Sequence, residues 1–125
     1  MTSIETKGEG MRCWQGVFGV AWGLVFAAAV HAEPGVERQE ALVRLVRQDC
    51  GACHGLSLRG GLGPALTAER LAGKDGEMLA AAIAQGRPGT PMPPFLGLLG
   101  TEEITWSVER LQEGFPPLPA GSSSH

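Results

Sequence analysis

The sequence predicts an all-α domain. Three segments place apolar side chains at helical spacing: Leu42, Leu45 and Val46; Leu79, Ala82 and Ile83; Ile104, Val108 and Leu111. Residues separated by three, four or seven positions share one helix face. Glycines stand where helical segments should stop: Gly86 after the second stripe, Gly114 after the third, and Gly73 after a short turn to Leu71. The third observation is the stretch Cys50-Gly51-Ala52-Cys53-His54, which follows the first of the segments.

The C-x-x-C-H spacing reads as a c-type haem attachment site. Two cysteines three apart lie on one face of a helical turn and reach both vinyl groups of a single haem. His54 is then held under the iron as proximal ligand. The competing readings are a redox C-x-x-C pair, half of a zinc site and a structural disulfide. A thioredoxin-like pair wants a βαβ context, which the sequence does not supply. A structural zinc needs four ligands, and beyond the motif the chain after residue 32 offers only His125, at the end of a polar tail.

The chain has 125 residues, enough for one domain. Residues 1–32 read as a signal peptide: Lys7 and Arg12 near the start, an apolar run over residues 17–30, and Val30-His31-Ala32 before cleavage. The run is short against the ~20 residues that cross a bilayer, although an uncleaved anchor stays open, as does a start at Met11. Cleavage removes Cys13, so both remaining cysteines belong to the motif. It also removes two acidic and two basic side chains, so the formal charge stays at −3. That balance argues against a nucleic-acid partner, which calls for a basic patch. No basic amphipathic helix marks a membrane surface after cleavage. Few aromatics remain (Phe95, Trp106, Phe115), so a covalent haem would supply the apolar surface that a small core lacks.

The elements follow in order. A first helix is expected over residues 36–48, after Pro34 and Gly35, with Glu40 and Arg44 as a supportive i, i+4 pair. Arg44 and Arg47 read as a solvated face. Residues 55–66 form a loop in which Gly60, Gly61 and Gly63 suit positive φ or close approach to something flat and large. Pro64 lacks an N–H but offers a carbonyl that can accept from the ring N–H of a metal-bound histidine; the alternative is a plain turn proline. Thr67 caps a short turn to Leu71, and Asp75 caps a helix over residues 76–85. Met78 lies one position off that helix's stripe and reads as core filling. Pro91, Pro93 and Pro94 stiffen the segment around Met92. A rigid loop can hold a thioether at an iron, so Met92 is the candidate sixth ligand; an incidental methionine in a Pro-rich loop is the alternative. Methionine opposite histidine raises the potential of an electron-transfer haem. The last helix is expected to open at Thr101 as N-cap, with Glu102 and Glu103 in its first turn. Trp106 falls opposite its stripe. Residues 117–125 read as a disordered tail.

The ordered set of signal peptide, C-x-x-C-H, G-P loop, M-P-P and closing helix resembles a class I monohaem cytochrome c, over nearly all of residues 33–116. More narrowly, DCGACHGLSLRGGLGPALT and GRPGTPMPPF resemble the c55X-type cytochromes of denitrification, companions of cytochrome cd1 nitrite reductase. The resemblance implies a class I cytochrome c fold of three to five helices around one covalent haem c, in the periplasm. It implies thioethers at Cys50 and Cys53, with His54 and Met92 on the iron. It implies a monomeric electron carrier without a small-molecule substrate. Its partner would be nitrite reductase or an enzyme of haem d1 maturation, where a redox or haem-handling role is the alternative. One departure stands in the closing helix: Arg110 occupies a place where many members carry an aromatic residue.

Overall fold

The computed structural model describes residues 32–121. The expected signal segment through residue 31, and residues 122–125 of the expected tail, lie outside them. Among the described residues every regular element is helical: α1 (Val36–Leu45), a π-turn (Val46–Cys50), α2 (Gly51–His54), α3 (Ala68–Leu71), α4 (Gly76–Gln85) and α5 (Thr101–Glu113). The all-α expectation holds.

The first helix runs further than residue 48. Val46 and Gly51, at the two junctions, both keep right-handed helical backbone, with φ of −60° at each. The winding ends only at Gly55, where φ turns to 86°. Helical backbone therefore continues from α1 through the π-turn to His54. A π-turn inserts one extra residue, so it rotates Cys50 and His54 relative to the apolar stripe of α1.

Two apolar clusters form the core. Leu42 and Val43 of α1 pack with Leu99, Ile104 and Trp106, flanked by Ile83, Ala84 and Phe95. Val46, Leu58, Leu71 and Leu111 form the second, flanked by Cys50, Leu66 and Phe115. The stripe of α5 is thus shared between them, Ile104 in the first and Leu111 in the second. Trp106 is buried despite its phase. The Arg110 guanidinium covers its ring at 5.9 Å and pairs with Glu113 at 3.1 Å. The cation therefore does at this surface what an aromatic would do by stacking. Met78 is not core filling: it is 57% exposed, because α4 turns that side of its first turns to solvent.

The local capping chemistry is largely as the sequence indicates. Thr67 Oγ1 accepts the Arg70 amide at 3.4 Å, and Asp75 Oδ1 accepts the Met78 amide at 2.8 Å. The start of α5 differs by one residue. Gly100 is the cap, and its N–H donates to the Glu103 carboxylate at 2.9 Å, half of a capping box. Thr101 is already helical, its carbonyl accepting the Thr105 hydroxyl. Glu103 also pairs with Arg38 of α1, joining the first and last helices.

Arg44 does lie at the surface, 3.7 Å from Glu40. Arg47 does not belong to a solvated face. Its guanidinium donates to the carbonyls of Phe115 (3.0 Å), Pro116 (2.7 Å) and Leu56 (3.4 Å), and lies 5.6 Å over the Phe115 ring. One side chain so ties the chain after α5 to the loop after His54.

Candidate haem-binding site

His54 is the last residue of α2, where helix carbonyls have no partner within the helix. The loop that follows folds back to supply them. Gly63 N–H donates to the Cys53 carbonyl at 2.8 Å, and Gly60 N–H to the His54 carbonyl at 2.8 Å. Leu66 N–H donates to the Leu58 carbonyl at 2.8 Å, closing the loop at its base. Leu58 adopts φ of 60° there, a strained value for a side chain that is nearly fully buried in the second cluster.

This folding-back sets the imidazole. The Pro64 carbonyl oxygen lies 2.7 Å from His54 Nδ1. A carbonyl only accepts, so Nδ1 carries the proton and Nε2 keeps its lone pair for a metal. Gly63 leaves the ring its space, because a Cβ at that position would stand 2.7 Å from His54 Nδ1 and Cε1. The sequence points the loop glycines at something flat; at Gly63 the flat surface is the imidazole itself.

Cys50 is half-buried and Cys53 exposed, and neither is in a disulfide. Burial pushes the Cys50 thiol up to about 11, and the neighbouring Asp49 carboxylate adds to the rise. Before any haem is attached the Cys50 thiol is therefore held protonated, unlike the low-pKa cysteine of a redox pair. Among the described residues no three His, Cys, Asp or Glu side chains gather to hold a metal ion by themselves. Cys50, Cys53, His54 and Pro64 thus sit in one helical turn and its return loop. Met92 comes from a separate segment, after α4, and is half-buried. Its amide lies 3.4 Å from Thr90 Oγ1, and its carbonyl accepts the Arg87 amide at 3.2 Å. Among the described residues no helix is long and apolar enough to cross a membrane.

Comparison with known proteins fits this arrangement. The family model "Cytochrome C oxidase, cbb3-type, subunit III" matches residues 37–109, more than half of the chain. Cytochrome c55X of Stutzerimonas stutzeri is 53% identical over 93 residues, covering 74% of this chain and 82% of that protein.

The chain belongs to the cytochrome c55X family.

The solved c-type cytochrome NirC is 56% identical, with a TM-score of 0.63 over 64% of this chain and 94% of that one. The fold is that of a small class I cytochrome c. Dihydro-heme d1 dehydrogenase of Pseudomonas aeruginosa is 36% identical over 107 residues, which span 86% of this chain but 21% of that enzyme. A c-type cytochrome implies a haem c with its iron, and the donor set fits one. Two thiols stand one helical turn apart, and an imidazole beside them has Nδ1 engaged by the Pro64 carbonyl, which leaves Nε2 for a metal.

Proposed function

We propose that this chain is a periplasmic single-haem electron carrier of denitrification, and that it donates electrons to cytochrome cd1 nitrite reductase. The observation that carries the reading is the His54–Pro64 contact of 2.7 Å, which fixes the tautomer that a proximal ligand needs. The haem iron supplies a one-electron couple. Cys50 and Cys53 hold the group through thioethers, each thiol adding across a vinyl double bond. His54 Nε2 and the Met92 thioether would be the protein donors that hold its iron. Residues 1–32 act as the export signal.

With two side chains holding the iron there would be no place for a substrate, and the chain's task would be to set a potential and present an edge to a partner. Pro64 contributes by accepting the His54 N–H, which makes the imidazole a stronger donor to a metal. Redox encounters bury little surface and separate quickly, in keeping with a monomer that meets its partner transiently.

A second reading has its own support. Similarity to dihydro-heme d1 dehydrogenase, in a stretch equal to a fifth of that enzyme, favours a redox role in haem d1 maturation. One pair of measurements separates the two. Reduced protein is mixed with purified nitrite reductase and its oxidation followed by stopped flow, while a deletion strain is assayed for haem d1 in its reductase. Fast transfer with normal haem d1 supports the donor role. No transfer, with reductase lacking haem d1, refutes it and leaves maturation.

A further inference from the structure

We propose that Gly86 and Thr90 are positioning residues that set the place of the Met92 thioether, by stitching the methionine segment onto the C-terminal end of α4. The inference rests on Met92 as an axial ligand.

Helix α4 ends at Gln85 with carbonyls that have no partner inside the helix. The segment beyond Met92 supplies them: Phe95 N–H donates to the Ile83 carbonyl at 3.0 Å, and Leu96 N–H to the Ala84 carbonyl at 3.2 Å. On the near side of Met92, Arg87 N–H donates to the Met92 carbonyl at 3.2 Å. The methionine segment is therefore fastened to the end of one helix on both sides of its only methionine.

Gly86 is where the two backbones meet. It is buried, and its φ is 70°. A Cβ there would lie 2.7 Å from the Met92 carbonyl oxygen, 2.8 Å from the Pro93 carbonyl carbon and 2.9 Å from the Pro94 nitrogen. All three are backbone atoms, so no side chain can swing aside. Ordinary contact needs ~3.5 Å or more, so even one methyl group forces the Met92–Pro93 backbone away by roughly 0.7 Å. A ligand constellation must be held to within about 0.5 Å of its productive geometry. The positive φ adds strain for any side chain at this position.

Thr90 closes the same turn from inside. Its hydroxyl donates to the Arg87 carbonyl at 2.6 Å, and its amide donates to the same carbonyl at 3.0 Å. The Met92 N–H donates to the hydroxyl oxygen at 3.4 Å, a long, weak bond. Pro91 between them has a fixed φ, so the geometry set at Thr90 is passed rigidly to Met92.

The test uses the mature holo-protein and four variants: Gly86→Ala, Thr90→Val, Thr90→Ser and Met92→Ala. The readouts are the weak red-end absorption of a ferric iron–methionine bond, carbon monoxide binding to the reduced form, and the reduction potential. Gly86→Ala should keep its covalent haem and helicity but lose most of the red-end band, bind carbon monoxide and fall in potential. Thr90→Val, nearly isosteric, should weaken the band, and Thr90→Ser should restore it, because only the hydroxyl closes the turn. A folded Gly86→Ala protein with a wild-type band and no carbon monoxide binding overturns the role of Gly86. Should that variant fail to fold, an unchanged band in Thr90→Val overturns the proposal by itself. Loss of the band in Met92→Ala alone, with the others intact, leaves the ligation standing and refutes only the positioning. A band that survives Met92→Ala refutes the ligation.

Discussion

Replacing Arg47 by methionine keeps the unbranched stem and removes the guanidinium. The change breaks donations to the Pro116 and Phe115 carbonyls at 2.7 and 3.0 Å, a longer one to Leu56 at 3.4 Å, and the cation–ring contact with Phe115 at 5.6 Å. A hydrogen bond to a charged group contributes about 1.5–3 kcal/mol net. The site is half-buried, so water can reach some of the freed carbonyls and the lower end applies. The long Leu56 bond adds little, and the ring contact adds about 0.5–1 kcal/mol. The expected loss is therefore about 2–4 kcal/mol. For a domain of this size that lowers Tm by roughly 10–25 °C. The assay is denaturant unfolding of the holo-protein, followed by helicity and by the haem absorption together. A second arm removes residues 115–125, which deletes the strongest acceptors. If the clamp is the cause, Arg47→Met should cost far less in the shortened chain, and the double-mutant cycle should return a coupling of about 1.5 kcal/mol or more. A cost below about 0.5 kcal/mol in the full chain, or an equal cost in both chains, would falsify the clamp.

Three other outcomes are expected. Haem should stay with the purified protein through acid–acetone extraction, and a Cys50→Ala, Cys53→Ala double variant should release it; extractable haem in the wild type rules out thioethers. Met78→Ala should leave the red-end band and the carbon monoxide response unchanged, because that side chain is largely exposed on α4; a lost band would move the axial role to Met78. Acid sensitivity should trace partly to Glu103. Its hydrogen bond with Arg38, and then the Gly100 N–H, hold its carboxyl below the ordinary value of 4.5. A carboxylate depressed in the folded state stabilises above its unfolded pKa and loses that contribution as pH falls through the folded one. Glu103→Gln should therefore flatten the loss of stability below about pH 4.5, as read from denaturant midpoints across pH; an unchanged acid limb counts against it.

The sequence by itself determined what depends on neighbours along the chain. Thr67 and Asp75 cap their helices because a short polar side chain reaches an amide three residues on, wherever the rest of the fold lies. The C-x-x-C-H spacing puts two thiols, three positions apart, and the adjoining imidazole within five residues of helical backbone. The Pro64 carbonyl was legible as one of two readings, because a proline lacks an N–H yet can accept from a histidine; a plain turn proline was the other, and the 2.7 Å contact with His54 decides between them. The tertiary structure decided what depends on residues far apart. Arg47 looks like any surface arginine of an amphipathic helix until its acceptors, 68 and 69 residues later, are beside it. Trp106 falls off the stripe of α5, yet it is buried because α1 and the Leu99 turn wrap that side of the helix. Met78 is exposed because a one-position phase error on a short helix moves a side chain by about 100°. The π-turn that ends at Cys50 was not read from the chain, whose apolar spacing there fits an ordinary α-helix equally well. Gly86 read only as a helix stop. Its second task came from the Met92–Pro94 backbone, which crosses it closely enough to exclude a methyl group. Local chemistry acts over three or four residues and is written in the chain, while the space left beside each residue is set by elements that meet only on folding.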